Sequence, residues 1–216
     1  MRNLVCSWSG GKDSCYALLK AIQTGYIPTI LLNVLNEDGK ISRSHGIPAA
    51  ILRAQAKRAG LPIELISSSW EEYEKKFTAC LVQLKDQYDL THAVFGDIDL
   101  QAHRDWEEKV CAQAGLTAVL PLWKQDRRKL VLQMLDTGIE AMIVSCNTQM
   151  GRSFIGKIID HDLVNELESL GVDPCGENGE YHTLVLDCPL FEKRLDVIVQ
   201  DQQLHDQYWF AHLELQ

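Results

Sequence analysis

The sequence has no uninterrupted run of about 18 apolar residues, the length that a helix needs to cross a membrane. Residues 1–6 also lack the long apolar segment of a secretory signal peptide. We therefore expect a cytoplasmic protein that has no membrane partner.

The seven cysteines include no Cys-x-x-Cys pair, and their number is odd. Both facts argue against a disulfide framework and against a zinc ribbon. We expect most of these cysteines to be small buried side chains in a reducing compartment, and we find no candidate for a catalytic thiol among them.

Basic residues are also scarce. The 216-residue chain has 21 Lys and Arg against 30 Asp and Glu, which gives a formal net charge of −9. Proteins contact the phosphates of nucleic acids mostly through Lys and Arg, so an acidic chain is a poor default binder of nucleic acid. A nucleic-acid partner is therefore not expected.

Short apolar runs alternate with amphipathic stretches over the first two-thirds of the chain. Strands are predicted at 4–8, 29–35, 63–66, 93–95, 117–120 and 141–146, and helices at 13–24, 48–60, 70–88, 101–114 and 127–135. This alternation predicts an α/β fold with a parallel sheet and helices on both faces. Because ligands bind beyond the carboxyl ends of such strands, the turns after 4–8 and 93–95 are expected to face one crevice.

The pattern changes after about residue 147. One more predicted helix, at 160–170, is followed by the turn-rich segment DPCGENGEYHTLVLDCPLF and by strands at 195–200 and 208–213. We therefore divide the chain into an α/β domain, residues 1–147, and a small C-terminal part with mixed or antiparallel β-structure, residues 148–216.

The first turn, SGGKDS at residues 9–14, has the composition of a phosphate site. The backbone amides of Gly10 and Gly11 can approach an oxyanion at a helix N-terminus. Lys12 adds a positive charge, and Ser9 and Ser14 add hydroxyl donors. We expect Lys12 to be exposed in this loop, so that its replacement spares the fold.

This turn is not a Walker A loop. Cys6 stands where that pattern needs glycine, and Asp13 stands where it needs serine or threonine. The segment also differs from the dinucleotide-binding pattern GxGxxG. It resembles instead the PP-loop of the ATP pyrophosphatases, which holds the β- and γ-phosphates of ATP while the α-phosphate is attacked.

Further motifs follow in order: SHGI at 44–47, GDID at 96–99, HRDWEEKVC at 103–111, PLW at 121–123 and CGENGEYHT at 175–183. Together with the PP-loop they resemble the diphthine–ammonia ligase family, in its short archaeal or bacterial form, over nearly the whole chain. GENGEYHT is far more specific than the PP-loop. The resemblance implies an adenine nucleotide α-hydrolase-like sheet of the HUP type with a small C-terminal part.

The resemblance also implies a reaction and its cofactors, ATP and Mg²⁺. A carboxylate attacks the α-phosphorus of ATP, pyrophosphate leaves, and ammonia then displaces AMP from the acyl-adenylate. The residues implied for ATP and pyrophosphate are Ser9, Gly10, Gly11, Lys12, Asp13, Ser14, His45 and Gly96, with Lys12, Asp13 and Asp97 as catalytic groups and Asp13 and Asp97 as Mg²⁺ ligands. From the residues alone, Asp13 either caps the helix or helps to hold Mg²⁺. Asp97 binds Mg²⁺ or the ribose, or is a turn aspartate, and the motif match favours a functional role.

The late loop is implied to bind the acceptor, through Gly176, Glu177, Asn178, Gly179, Glu180, Tyr181 and His182. Diphthine, the family's acceptor on elongation factor 2, carries a trimethylammonium group and a carboxylate. Carboxylates and aromatic faces hold quaternary ammonium groups well, and Trp123 is a further aromatic candidate. We expect Glu177 and Glu180 to serve the acceptor and not ATP. An Asn-Gly turn before a strand explains only Asn178 and Gly179.

Several alternatives stay open at this point. The same chemistry could act on a small-molecule acid, and a tRNA-modifying PP-loop enzyme or a nucleotide-binding sensor without turnover is a further alternative. The ammonia donor is taken as free ammonium, because no glutaminase module is visible. Arg104 either meets a phosphate or pairs along its helix with Glu107 and Glu108. The oligomeric state, a homodimer included, is left open.

Overall fold

The structure, a computed structural model, describes residues 2–216. The strands in this part of the chain are β1 (Asn3–Ser7), β2 (Ile27–Leu35), β3 (Ile63–Ser67), β4 (His92–Val94), β5 (Thr117–Val119), β6 (Glu140–Asn147), β7 (Tyr181–Asp187), β8 (Val197–His205) and β9 (Tyr208–Leu215). The helices are α1 (Lys12–Gln23), α2 (Ala49–Arg58), α3 (Tyr73–Tyr88), α4 (Gln101–Ala114), α5 (Arg127–Asp136) and α6 (His161–Ser169), with a 3₁₀ turn at Arg152–Phe154.

The first five strands form a parallel sheet in the order β3-β2-β1-β4-β5. Successive residues of β1 serve opposite faces, because side chains alternate along a strand. Leu4 and Cys6 belong to the core that includes α1 and α2, whereas Val5 belongs to the core that includes α3 and α4. The predicted α/β fold with helices on both faces is therefore confirmed. The chain order reverses between β1 and β4, which is where such sheets bind ligands.

A second sheet is antiparallel and has the order β7-β6-β9-β8. The predicted β-containing C-terminal part is confirmed, but the prediction that residues 141–146 complete the parallel sheet is wrong. The six residues inside β6 are all buried, so its continuous apolar run looks like that of a parallel strand. Its partners β7 and β9 follow only later in the chain. The division of the chain at residue 147 stays a prediction.

A buried glutamine joins the two sheets beneath the PP-loop. Gln55 on α2 is fully buried, and its Nε2 donates to the carbonyl oxygens of Gly10 (3.0 Å) and Val185 (2.8 Å). Its Oε1 accepts from Trp8 Nε1 at 3.0 Å. The Val185 amide also donates to the Gly10 carbonyl, at 2.9 Å. Since buried polar groups need partners, these bonds fix the PP-loop against β7.

The structure bears on two features noted in the sequence, the cysteines and the absence of a long apolar run. All seven cysteines are free and buried, as predicted. Burial raises the pKa of Cys111 and of Cys175 to about 12, so neither thiol ionises near neutral pH. Among the described residues, no helix combines the length and the apolar character that crossing a bilayer requires.

Candidate active site

A cavity of about 320 Å³ opens where β1 and β4 end, at the reversal of strand order. We call it the nucleotide cavity. The sequence-predicted site residues that line it are Ser9, Lys12, Asp13, Ser14, His45, Gly96, Asp97, Gly176, Glu177, Gly179, Tyr181 and His182. The fold thus brings the PP-loop, the turn after β4 and the late loop around one space.

The PP-loop forms a compact hydroxyl cluster at the start of α1. Ser9 Oγ lies 3.0 Å from Ser14 Oγ, and the Gly11 amide donates to Ser9 Oγ at 3.2 Å. Ser14 Oγ donates to the Gly11 carbonyl at 3.1 Å. Gly11 is the N-cap of α1 and supplies no side chain to bond the first-turn amides. The first-turn residues Lys12, Asp13 and Ser14 line the nucleotide cavity, so the positive end of the helix dipole lies at this cavity, as an anion site requires.

Lys12 is buried, contrary to the expectation of an exposed loop lysine. Lys12 is only 3% exposed, because the late loop covers it. Nζ donates to both carboxylate oxygens of Asp13, at 3.0 and 2.9 Å, and to the Cys175 carbonyl at 2.5 Å. The ring centroid of Tyr181 is 5.3 Å away. Burial alone would lower the pKa of Lys12, but Asp13, Tyr181 and Cys175 together outweigh burial and raise it, so the ammonium stays charged.

Gly96 lets the end of β4 approach the first turn of α1. A Cβ at Gly96 would lie 2.7 Å from Asp13 C and 2.7 Å from Ser14 N, closer than carbon atoms pack. Only glycine fits there without moving the backbone of the PP-loop. This contact places the adjacent Asp97 carboxylate at the nucleotide cavity.

Asp97, in the turn after β4, contacts two titratable side chains of α4, His103 and Glu107. His103 Nδ1 lies 2.6 Å from Asp97 Oδ1. Burial would raise the pKa of Asp97, but hydrogen bonds from His103 and Glu107 hold it below its usual value. Glu107 is 3% exposed, and burial next to the Asp97 charge raises its pKa to about 11. At neutral pH, Asp97 is therefore ionised and Glu107 is neutral.

Two neighbouring histidines, His45 and His182, line the nucleotide cavity. His45 Nδ1 donates to the Thr183 carbonyl at 2.8 Å, so that nitrogen carries the proton. The rings of His45 and His182 lie 4.6 Å apart. Burial lowers the pKa of His45, and burial together with His45 and Lys12 lowers the pKa of His182 to about 3. Both rings are neutral at pH 7.

The late loop is anchored by an ion network that reaches three parts of the chain. The Asp173 carboxylate, 6% exposed, accepts from the amides of Cys175 (2.9 Å) and Glu177 (3.0 Å). Arg127 Nη1 donates to Asp173 Oδ2 at 2.5 Å, and its Nε and Nη2 bind Asp99 at 2.9 and 2.6 Å. The loop is therefore held to α5 and to the turn after β4.

The two acids of the late loop point in different directions. Glu177 lines the nucleotide cavity, and burial together with the charges of Asp13 and Asp97 raises its pKa to about 8. Glu180 instead accepts from the backbone amide of Asn178 at 3.1 Å and from Asn178 Nδ2 at 3.1 Å. Asn178 also accepts from Arg127. Neither Glu180 nor Asn178 lines the nucleotide cavity, so their bonds serve the loop itself.

Comparison with known proteins decides the family. Residues 1–118 match the family model of the diphthamide synthase N-terminal domain, and residues 126–215 match that of the diphthamide synthase C-terminal domain. The chain belongs to the diphthamide synthase family.

Curated relatives of this diphthamide synthase family member are diphthine–ammonia ligases. The chain is 31% identical over 218 residues to the ligase of Schizosaccharomyces pombe, covering 91% of this chain but only 36% of that protein. It is 28% identical over 229 residues to the human ligase, covering 94% and 85% of the two chains. A solved structure from Methanocaldococcus jannaschii, described as a predicted subunit of tRNA methyltransferase, covers 87% of this chain at 17% identity with a TM-score of 0.46, too distant a likeness to support an argument.

Some residues that build this diphthamide synthase site were not singled out in the sequence. Thr183 accepts from the Lys12 amide at 3.0 Å, and Arg127 and Asp173 hold the late loop. Thr183 ends the GENGEYHT motif, which could have pointed to it. Arg127 and Asp173 carry no local signal, because their role depends on a contact between distant parts of the chain.

The remaining candidates lie away from the nucleotide cavity. Arg104 Nε donates to Glu108 Oε1 at 2.7 Å, so Arg104 pairs along its own helix, which is one of the two roles considered for it from the sequence. Its guanidinium also lies 5.0 Å from the ring centroid of Trp123. Trp123 does not line the nucleotide cavity, so it is not in place as an aromatic wall for a ligand there.

Proposed function

We propose that this protein is an ATP-dependent amide ligase that joins ammonia to a carboxylate. A carboxylate oxygen attacks the α-phosphorus of ATP, and the bond to pyrophosphate breaks. The nitrogen of ammonia then attacks the acyl carbon, AMP leaves with the bonding electron pair, and a proton passes to solvent. Membership of the diphthamide synthase family supports ATP-dependent amidation. The finer proposal is that the acceptor is diphthine on elongation factor 2.

The PP-loop would bind the β- and γ-phosphates. The first-turn amides of α1 beyond Lys12, the Ser9 hydroxyl and the Lys12 ammonium would supply donors for phosphate oxygens, whereas the Lys12 amide already donates to Thr183 Oγ1 and the Ser14 hydroxyl to the Gly11 carbonyl. Lys12 is pre-positioned by Asp13 and by the Cys175 carbonyl. A buried, fixed ammonium stabilises the charge that develops as pyrophosphate leaves, because it needs little reorganisation when the reaction occurs.

Asp13 and Asp97 fit a magnesium ion that arrives with ATP. Within the described residues, no group of three His, Cys, Asp or Glu side chains is arranged to hold a metal alone. Mg²⁺ usually takes one or two carboxylates and completes its shell with phosphates and water. Both aspartates line the nucleotide cavity, and their charge contributes to the raised pKa of Glu177. A bound Mg²⁺ would neutralise phosphate charge there.

The late loop would hold the acceptor carboxylate against the α-phosphate. Glu177, Tyr181 and His182 line the same cavity as the PP-loop, so an acceptor held by them lies beside the nucleotide. Positioning two reactants in this way is the main contribution that a protein makes to such a transfer. Gly176 and Gly179 line the cavity through their backbone, and Glu180 and Asn178 keep the loop in shape.

One observation carries the proposal. The PP-loop and the GENGEYHT loop close around a single cavity, with Lys12 bonded directly to the carbonyl of Cys175, 163 positions away. A nucleotide sensor needs only the first of these loops. An enzyme that joins a nucleotide-activated acid to ammonia needs both.

Product analysis tests this function. The protein is incubated with ATP, Mg²⁺, ¹⁵N-ammonium and diphthine-bearing elongation factor 2, and in parallel with a panel of small carboxylic acids. We expect AMP, pyrophosphate and a ¹⁵N-amide on elongation factor 2. Formation of ADP and phosphate would contradict the adenylation step. Amide on a small acid alone would replace the proposed acceptor and keep the reaction type.

A further inference from the structure

The guanidinium of Arg127, the first residue of α5, bonds to two separate parts of the candidate site. Its Nε and Nη2 donate to the two carboxylate oxygens of Asp99, at 2.9 and 2.6 Å. Its Nη1 donates to Asp173 Oδ2 at 2.5 Å and to Asn178 Oδ1 at 3.2 Å. These bonds can use four of the five N–H groups that a guanidinium carries. Arg127 also does not line the nucleotide cavity, so it acts on the site through the residues that it holds.

On one side, Arg127 holds the turn after β4. Asp99 lies in this turn, two positions after Asp97, which lines the nucleotide cavity. Asp99 itself does not line that cavity, so its bidentate pair with Arg127 fixes the turn and not a ligand. The Lys124 amide donates to the Ile98 carbonyl at 2.6 Å and fixes the same turn from a second direction.

On the other side, Arg127 holds the base of the late loop through Asp173. The Asp173 side chain is buried and also accepts from the amides of Cys175 and Glu177, at 2.9 and 3.0 Å. These two residues carry the loop into the site, because the Cys175 carbonyl accepts from Lys12 and Glu177 lines the nucleotide cavity. A buried carboxylate that loses its counter-charge is strongly destabilised, so the position of the loop depends on Arg127.

We propose that Arg127 is a positioning residue through which nucleotide binding orders the late loop. The proposal rests on the proposed function for the ligand that each side receives. One rigid, planar guanidinium joins the turn that carries Asp97 to the loop that carries Glu177. A nucleotide that restrains the turn therefore also restrains the loop, and the acceptor then meets a loop that is already ordered. Such order matters because a misplacement of about 1 Å between two reactants can lower a rate on the order of 10²-fold.

Arg128, the next residue of α5, provides a matched control. Its Nη2 donates to Asn165 Oδ1 at 2.8 Å, and its Nη1 pairs with Glu168, both on α6. Neither partner lines the nucleotide cavity. Arg128→Lys therefore makes the same chemical change on the same helix without altering the link between the turn and the late loop.

Hydrogen–deuterium exchange of the whole protein tests this link without any reaction. The probe of the nucleotide side is Mg²⁺ with α,β-methylene-ATP, which cannot release pyrophosphate, and its binding is measured separately by calorimetry. In the wild type, we expect the probe to slow exchange of the amides at 173–180 about fivefold or more, the lower end of the usual coupling between two sites.

Two variants break the link in different ways. Arg127→Lys keeps the positive charge but cannot bridge both aspartates. Asp99→Ala removes the connection to the turn and leaves Asp173 its counter-charge, and the Asp99 side chain is 35% exposed, so this variant should fold. Both should bind the probe, but the probe should slow exchange at 173–180 by less than about twofold, below the usual range of coupling. Arg128→Lys should behave like the wild type.

The possible outcomes separate this proposal from the proposed function. Wild-type slowing of exchange in Arg127→Lys and Asp99→Ala would overturn the proposal, as would its loss in Arg128→Lys or its absence in a wild type that binds the probe. With diphthine-bearing elongation factor 2 and saturating ATP, amide formation by Arg127→Lys and Asp99→Ala should fall on the order of 10²-fold, and an unchanged rate would also overturn it. Absence of amide formation by the wild type with any acceptor, while the exchange results hold, would instead overturn the proposed function alone.

Discussion

Replacing Lys12 by methionine separates its role in catalysis from its role in the fold. Methionine keeps most of the buried stem but removes the ammonium. The Cys175 carbonyl then loses its 2.5 Å donor, and an unsatisfied buried acceptor costs about 1–3 kcal/mol. Asp13 also loses its partner, but its side chain is 23% exposed, so water can solvate the carboxylate and this loss costs less. We therefore expect Lys12→Met to lower the free energy of unfolding by about 1–3 kcal/mol.

The effect on the reaction should be larger than the effect on the fold. Removing one preorganised donor from a developing charge lowers the rate on the order of 10²–10³-fold. Urea unfolding and pyrophosphate release at saturating ATP and acceptor measure the two effects separately. Lys20→Met is the matched control, because Lys20 lies on the same helix with its Nζ 5.8 Å from the Tyr16 ring centroid and outside the nucleotide cavity. It should leave the rate unchanged.

The double variant Lys12→Met with Asp13→Asn provides the check on this reasoning. Both single changes break the same ion pair, so the double variant should lose less stability than the sum of the two single losses. Pyrophosphate release at the wild-type rate by Lys12→Met would refute the phosphate role. Equal stability of Lys12→Met and Lys20→Met would refute the claim that the buried ammonium supports the late loop.

Three further predictions follow from the geometry of the site. Gly96→Ala should abolish the ATP-induced rise in melting temperature, because its Cβ would lie 2.7 Å from the backbone of the first turn of α1; an unchanged rise would contradict the close packing. The pKa of His182 is lowered to about 3 in the folded state, whereas in the unfolded chain it is about 6.5. As the pH falls from 7 to 5, only the unfolded chain takes up a proton at this residue, so the free energy of unfolding should fall by about 2 kcal/mol. Denaturant titrations of His182→Gln should lack that part of the fall, whereas the exposed control His205→Gln should keep it. Glu177→Gln should lower the rate of amide formation with little change in ATP affinity by calorimetry, because Glu177 lines the nucleotide cavity, whereas Glu180→Gln should lower the rate less; parallel loss of ATP binding would move Glu177 to the nucleotide or metal site.

The parallel sheet could be predicted because its pattern is local. Each strand and each helix of the first half carries its own periodicity and its own end signals, and the motifs at 9–14 and 96–99 fall at strand ends. The sheet to which β6 belongs could not be predicted in this way. A strand buried on both faces has the same apolar run in either sheet, and pairing with β7 and β9 is a long-range choice.

The candidate-site residues that belong to a sequence motif could be predicted, but the burial of their side chains in the folded protein could not. The PP-loop and the late loop were found from their sequences, but the burial of Lys12 arises from contact with Cys175, 163 positions away. Glu177 and Glu180 look equivalent in the motif. They differ because the Glu177 amide donates to Asp173 and Glu177 lines the nucleotide cavity, whereas the Glu180 carboxylate accepts from the amide of Asn178. The network of Arg127 leaves no trace in local sequence at all.

Oxygen transfer from the acceptor tests the central claim most directly. The acceptor carboxylate is labelled with ¹⁸O, the reaction is run with ATP, Mg²⁺ and ammonium, and the phosphate-containing products are analysed by mass spectrometry. If the carboxylate attacks the α-phosphorus, one ¹⁸O atom per turnover appears in AMP. Label found in inorganic phosphate, or AMP formed without label, would contradict the formation of an acyl-adenylate.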